Sequence, residues 1–380
     1  MEAFERLKLL TSQMHLEPAE DSSCVQLSSR KQDKITVSDA VLPNGKRISL
    51  LKSQLSTVCE RNCYYCPFRS GRDFQRATFQ PEEFAKVFMS LHQARIAEGI
   101  FLSSGIFNSG AFTQDKLIDT AEILRYKLHF RGYIHLKIMP GAEFAQVERA
   151  MQLADRVSIN LEAPTTERLV KLAPRKQFVE ELLQPLKWID QIRRTQPAYK
   201  GWNEHWPSSV TQFVVSAVGE TDLELLITTE YLYNKLRLKR TYYSSFNPIT
   251  DTPLENVPPG NPSREHRLYE ASFLLRDYGF SLEELPFNQD GHLPLNEDPK
   301  FAWAKINLLG HPIEINRVDK HELLRVPGIG PKSAKAILAA RTKNKLLNLA
   351  ELHAFGVNLK RASPFILING KSAAYQTSFL

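Results

Sequence analysis

Three of the four cysteines fall within eight residues, Cys59-Glu-Arg-Asn-Cys63-Tyr-Tyr-Cys66. So few thiols, so closely set, do not make a disulfide framework, and in a reducing compartment they read as metal ligands. Thiolates are soft donors that select zinc, copper(I) or iron–sulfur clusters. A closed structural zinc site needs a fourth ligand, which Cys24 or a histidine could supply. The C-x-x-x-C-x-x-C spacing is not the paired C-x-x-C usual for zinc, and this favours a cluster.

Two further stretches could do chemistry. The loop Pro67-Phe-Arg69-Ser-Gly-Arg72-Asp-Phe-Gln-Arg76 interleaves basic with aromatic residues, a composition that clamps phosphates and stacks on bases, and that equally makes a solvated face. Near the C-terminus, Pro327-Gly328-Ile329-Gly330-Pro331 turns the chain between two short apolar-periodic segments. Residues 313–380 hold eleven basic against four acidic residues, so the whole formal surplus of +7 in the 380-residue chain lies there. That segment is expected to meet an acidic partner.

The elements that must position these groups follow from periodicity. Short apolar, β-branched runs are expected as strands at 47–56, 99–104, 133–138, 156–161, 211–217 and 241–246. Helical segments lie between them, near 81–98, 114–129, 142–153, 177–194 and 221–237, with another at 264–278. The helix near 114 shows one apolar stripe, Leu117, Ile118, Ala121, Leu124 and Leu128. Six βα units in a row predict an α/β fold with a parallel sheet, doubly wound or curled into a partial (β/α)6 barrel. The cysteines then follow the first strand, at the end of the sheet where such folds place their sites.

The domain boundaries expected are an N-terminal extension at 1–46, the barrel at 47–285, a Pro- and Asn-rich linker at 286–312, a small all-α domain at 313–370 and a tail at 371–380. Hydrophobic residues at 42% and charged ones at 24% are ordinary for globular domains. No apolar run approaches the roughly 18 residues of a membrane span, and residues 1–23 lack a signal-peptide pattern. The expectation is a cytoplasmic protein with no membrane partner.

The cysteine loop resembles the radical S-adenosylmethionine (radical SAM) superfamily, whose defining pattern is C-x-x-x-C-x-aromatic-C; Tyr65 fills the aromatic position. The resemblance implies that Cys59, Cys63 and Cys66 hold three irons of a [4Fe-4S] cluster, leaving one iron open to S-adenosylmethionine. The ligand count agrees, since such a cluster normally takes four cysteines. It further implies that Ser103-Ser104-Gly105 receives the methionine amino group, although the glycine-glycine-glutamate common there is absent. Ser158, Asn160 and Glu162 alternate onto one face, where ribose and carboxylate contacts are implied. The run 211–222 resembles the superfamily's fifth-strand motif beside adenine, with Ser216 where glycine is common; Glu220 is read either as a cofactor contact or as a helix cap. Lys137 on the third strand is placed either to reach the site or, the commoner case, to be a solvated charge, and Tyr242, Tyr243 and Phe246 read as core or pocket wall.

Residues 324–338 resemble a helix-hairpin-helix motif, with Asp319 as N-cap of its first helix. The resemblance implies that the backbone at Gly328, Ile329 and Gly330, with Lys332 and Lys335, contacts DNA phosphates. A degenerate second hairpin is expected at 349–366, around Phe355-Gly356-Val357. The order of extension, barrel and hairpin domain resembles a family of DNA modification/repair radical SAM proteins. That implies DNA as partner, with Arg69, Arg72 and Arg76 as additional contacts, an electron donor such as flavodoxin or ferredoxin, and a uracil-DNA-glycosylase-like protein in the same pathway. Two alternatives stand beside it: radical chemistry on RNA or protein with the hairpins as a docking module, and a zinc-stabilised DNA-binding protein.

Overall fold

The computed structural model describes residues 2–12, 14, 35, 37–42 and 45–372; Cys24, much of the 1–46 extension and residues 373–380 of the tail lie outside them. The chain forms two compact units, residues 1–220 with 231–261, and residues 221–230 with 262–380.

The first unit is built on a seven-stranded sheet in sequential order. Strand β1 (Val37–Val41) runs antiparallel to β2 (Arg47–Gln54). The next five, β3 (Gly99–Ser103), β4 (Tyr133–Lys137), β5 (Arg156–Ser158), β6 (Ser208–Val215) and β7 (Arg240–Ser245), each pair in parallel with the strand before. The sheet curls into the expected half-barrel. Every residue of β3 and β4 is buried, because crossover helices cover parallel strands.

Helix α1 (Ala3–Thr11) precedes the sheet. The crossovers carry α2 (Pro81–Gln93), α3 (Gly110–Glu122), α4 (Phe144–Leu153), α5 (Thr166–Leu172), α6 (Gln184–Thr195) and α7 (Asp222–Leu236). In α2, Pro81 takes the first helical position and Phe84, Phe88 and Leu91 point inward; each side chain so buried contributes roughly 1.5–3 kcal/mol. Helix α3 starts where Ser109 accepts a hydrogen bond from Phe112 N–H, and it does not continue regularly to 129. A π-turn at Ile123–Lys127 widens the helix, leaving Leu128 only half-buried and carrying Arg125 inside. There Arg125 donates to the carbonyls of Leu153, Phe130 and Gly132 and pairs with Asp155 at 2.8 Å. Burial lowers its pKa to about 10, partly offset by Asp155.

The second unit contains α8 (Pro262–Asp277), α9 (Pro299–Asn307), α10 (Lys320–Arg325), α11 (Pro331–Arg341), α12 (Leu349–Ala354) and α13 (Leu359–Ala362). A ribbon of short strands, β8 (Ile313–Glu314), β9 (Ile366–Ile368) and β10 (Lys371–Ser372), accompanies the helices. One apolar core includes Leu323, Val326, Ile329, Ile337, Leu352 and Phe365. Ala304 and Leu308 belong to the same core, with Phe301 packed against it, so part of the segment expected as a linker folds with the hairpins.

Candidate active site and candidate nucleic-acid interface

At the C-terminal ends of β2 to β7 the first unit opens into a cavity. Its wall brings together Cys59, Cys63, Cys66 and Tyr65 with Ser103, Ser104, Gly105, Asn160 and Glu162. Ser158, Ser216 and Glu220 do not line it.

The cysteine loop is pinned from several sides. Gly105 N–H donates to Ser56 O at 2.7 Å and Glu60 N–H to Ile106 O at 2.7 Å, while Ile106 N–H reaches Cys59 Sγ at 3.4 Å. A Cβ on residue 105 would lie 2.3 Å from Val58 O, so only glycine lets the end of β3 approach this loop. Arg76 fixes the far side, donating to the carbonyls of Thr57, Phe68, Arg69 and Arg72 with its guanidinium 4.2 Å from the Phe74 ring centre. Arg72 donates to Pro67 O and Thr250 O, and Arg69 leans toward the Tyr64 ring at 5.9 Å. Arg72 and Arg76 are thus engaged in holding the loop around the cysteines.

Among the described residues, no three His, Cys, Asp or Glu side chains are placed to hold a single metal ion. The three thiols instead share one cavity wall, an arrangement compatible with a cluster that gives each thiolate its own iron. Burial pushes the Cys63 and Cys66 thiols up. Lys176 opposes that shift by favouring the thiolates.

Lys176 was not foreseen from the sequence. Its Nζ lies 2.8 Å from Glu162 Oε1, with both side chains at most 10% exposed. Burial alone would raise the Glu162 pKa, but Lys176 and Lys137 outweigh it and hold the carboxyl below its ordinary value. For Lys176 burial is likewise outweighed, by Cys63 and Glu162, and its pKa rises. Glu162 sits at φ 66°, in the left-handed region. Nothing in the local sequence marks Lys176, since its partner is fourteen residues away and the pairing is tertiary.

Lys137 is not the solvated charge expected. It is 7% exposed, and its Nζ donates to Asn160 Oδ1. Asn160 Nδ2 in turn reaches Gln212 Oε1 at 3.5 Å, so a polar row crosses from the end of β4 to β6. Gln54, Ser244 and Ser245 continue the polar lining. Gln54 Oε1 and Ser158 Oγ are buried and meet no hydrogen-bond partner among the described residues. The cavity wall therefore carries the thiols for a cluster together with the amides, hydroxyls and charges that a zwitterionic nucleoside such as S-adenosylmethionine requires.

Ser216 and Glu220 act on each other. Ser216 has φ 77°, the conformation that makes glycine common at such a position. The Glu220 carboxylate holds it there by accepting from Ser216 N–H at 2.5 Å and Val218 N–H at 3.3 Å. Tyr243 is wholly buried core, and Phe246 is 2% exposed and contributes to the cavity wall.

In the second unit, Asp319 caps α10 through a capping box with Glu322, and α11 starts immediately after Gly330. The second hairpin is present, with Gly356 at φ 77° between α12 and α13. Lys332 and Lys335 are exposed on the first turns of α11. Gly328 faces inward, where a Cβ would lie 2.4 Å from Asn358 O. The charge of the unit is more even than the 313–380 segment alone, because eight acidic and five basic residues in 262–312 and three acidic ones in 221–230 offset six of its seven surplus charges. Arg325 pairs with Glu284 at 2.7 Å, and Arg361 pairs with Asp298. Lys332 and Lys335 on α11 stay exposed, as do Lys320, Lys343, Lys345 and Lys360 on neighbouring segments.

Residues 53–195 match the Radical SAM superfamily model, and residues 310–355 match a helix-hairpin-helix motif. Residues 53–195 thus form a domain of the radical SAM type, and the superfamily that model describes uses a [4Fe-4S] cluster and S-adenosylmethionine. Among solved structures, methylornithine synthase (PylB) is similar at 16% identity and a TM-score of 0.47, over 60% of this chain and 61% of that one. The FeFe-hydrogenase maturase HydG from Carboxydothermus hydrogenoformans gives 16% and 0.45, over 60% and 51%. The radical S-adenosylmethionine methyltransferase TsrM from Kitasatospora setae gives 13% and 0.39, over 57% and 39%. The chain spans about three fifths or less of the length of these proteins. No curated protein matches it. Among the described residues, no helix is long and apolar enough to cross a membrane.

Proposed function

We propose that this chain is a radical SAM enzyme that modifies or repairs a nucleotide in DNA. The observation that carries the reading is the convergence of Cys59, Cys63 and Cys66 on one cavity whose remaining wall is polar at Ser104, Asn160 and Glu162. A [4Fe-4S] cluster with S-adenosylmethionine bound there would supply radical chemistry able to abstract hydrogen from the substrate. The chain's own residues would do the rest: Cys59, Cys63 and Cys66 would hold the iron, Lys176 would balance the thiolates, and Asn160 with Gln212 would orient the nucleoside. The curled sheet and Phe246 keep water from the reacting centre.

DNA is the substrate polymer favoured by the helix-hairpin-helix motif, with Lys332 and Lys335 exposed beside Gly330. Contacts of this kind bind phosphate without reading sequence. The electron donor in this reading is a flavodoxin or ferredoxin, and a uracil-DNA-glycosylase-like protein belongs to the same pathway. The test is anaerobic reconstitution and dithionite reduction, followed by assay for 5′-deoxyadenosine with and without duplex DNA. Slow formation without DNA and faster formation with it is expected; none under either condition rejects the enzyme reading. Comparison of nucleosides from deletion and parent cells then identifies the product.

A further inference from the structure

Lys300 is the least expected group in the second unit. It stands in the first turn of α9, and its side chain is 8% exposed. Its Nζ donates to the carbonyl oxygen of Ile329, in the middle of the first hairpin, at 2.6 Å, and lies 4.6 Å from the centre of the Tyr278 ring.

The charged groups around it are few. Asp298 favours the ammonium, while Arg361 and Arg325 oppose it. Asp298 also accepts from Phe301 N–H at 2.9 Å and pairs with Arg361. Arg325 is matched by Glu284 and lies 2.8 Å from His321 Nε2, and Asp277 acts on the neighbouring Tyr278 hydroxyl. Burial is the largest influence and brings the Lys300 pKa down to about 7.

The bond partner gives this amine a consequence. The Ile329 carbonyl and the Gly330 N–H are two ends of one trans peptide group and point in opposite directions. A positive charge at the carbonyl oxygen polarises that group and strengthens the N–H as a donor. Gly330 directly precedes α11, where the DNA reading places a phosphate.

Resting on that reading, we propose that duplex binding is linked to protonation of Lys300: a phosphate at Gly330 N–H and a proton on Lys300 Nζ favour each other. The bound anion raises the Lys300 pKa, so the protein takes up a proton on binding. Affinity is then fullest at pH below the free value and declines as pH rises through the bound value. A one-unit rise corresponds to about a tenfold loss of affinity across that window.

The test is titration of a labelled duplex with the full chain and with Lys300→Gln from pH 6 to 8.5 at constant ionic strength. Calorimetry in two buffers of different ionisation enthalpy counts the protons taken up. Lys300→Gln keeps a donor for Ile329 O and leaves His311, His321 and His353 unchanged, so the difference between the proteins isolates Lys300. Circular dichroism at each pH establishes that both remain folded. The expected result is a steeper loss of affinity with pH, and greater proton uptake near pH 7, in the unsubstituted chain. Equal pH dependence and equal proton uptake would overturn the linkage while leaving DNA binding in place. Failure of both proteins to bind duplex at pH 6 would overturn the DNA reading, and the linkage with it. If Lys300→Gln unfolds, a pH-independent affinity of the unsubstituted chain still rejects the proposal.

Discussion

Gly328 and Asn358 join the two hairpins: Asn358 N–H donates to Gly328 O at 3.0 Å, and Gly328, at φ 86°, leaves no room for a Cβ beside the Asn358 carbonyl. Gly330 differs, having φ −101° and only the Tyr278 hydroxyl near its missing Cβ, at 3.5 Å. Gly328→Ala should therefore destabilise the second unit by at least about 2 kcal/mol, read as a lowered midpoint in denaturant. Gly330→Ala should fold normally and show its effect only as weaker duplex binding. A normal midpoint for Gly328→Ala would contradict the packing described.

Lys176 and Glu162 form a buried pair, and breaking one side leaves a charge without its partner. Lys176→Met should cost roughly 3–5 kcal/mol at pH 7. In the unsubstituted chain the depressed Glu162 carboxyl contributes stability that is present above its ordinary value of 4.5 and fades as pH falls through the folded value. In Lys176→Met the dominant influence becomes burial, so protonation relieves the site and the deficit should shrink between pH 7 and pH 5. Adding Glu162→Gln should recover part of the loss at pH 7. Thermal melts of the single and double variants at both pH values measure all three effects.

Iron content separates the cysteines. Cys59→Ala, Cys63→Ala and Cys66→Ala should each abolish cluster assembly after anaerobic reconstitution, while Cys24→Ala should retain it. Arg76→Ala should also lower iron content several-fold, since Arg76 ties together four carbonyls of the loop. Retention of iron by the three clustered variants and its loss from the Cys24 variant would reverse the assignment.

Charge reversal tests the duplex contact better than truncation. A cut before residue 313 would strip Ala304 and Leu308 of their core partners. Lys332→Glu with Lys335→Glu should leave the fold intact, weaken duplex binding and reduce the slope of log affinity against log salt by about 2. An unchanged salt slope would move the contact away from α11.

The half-barrel was legible in the sequence because parallel strands buried on both faces leave dense apolar runs, as at 99–104 and 133–138. The capping of α10 by Asp319 was legible because its signal is local, whereas Ser216 was marked only by the resemblance, which puts glycine at its place. What escaped depended on distant partners. Lys137 looked like an ordinary surface lysine because its partner Asn160 lies just past the end of the next strand, twenty-three residues on, and Lys176 carried no motif at all. Lys300 was hidden in a stretch whose prolines and asparagines read as a linker, although α9 packs its apolar face into the hairpin core. The π-turn at Ile123–Lys127 shifted a stripe that regular helical spacing had extended to Leu128.

The sheet begins at β1 and ends at β7, and these two strands do not pair with each other. A closed ring of strands offers a long chain only its end face. An arc with a gap can admit the middle of a chain from the side. If the substrate is a polymer, as proposed above, the unclosed sheet would suit a reactive position far from either terminus, reached without a strand break.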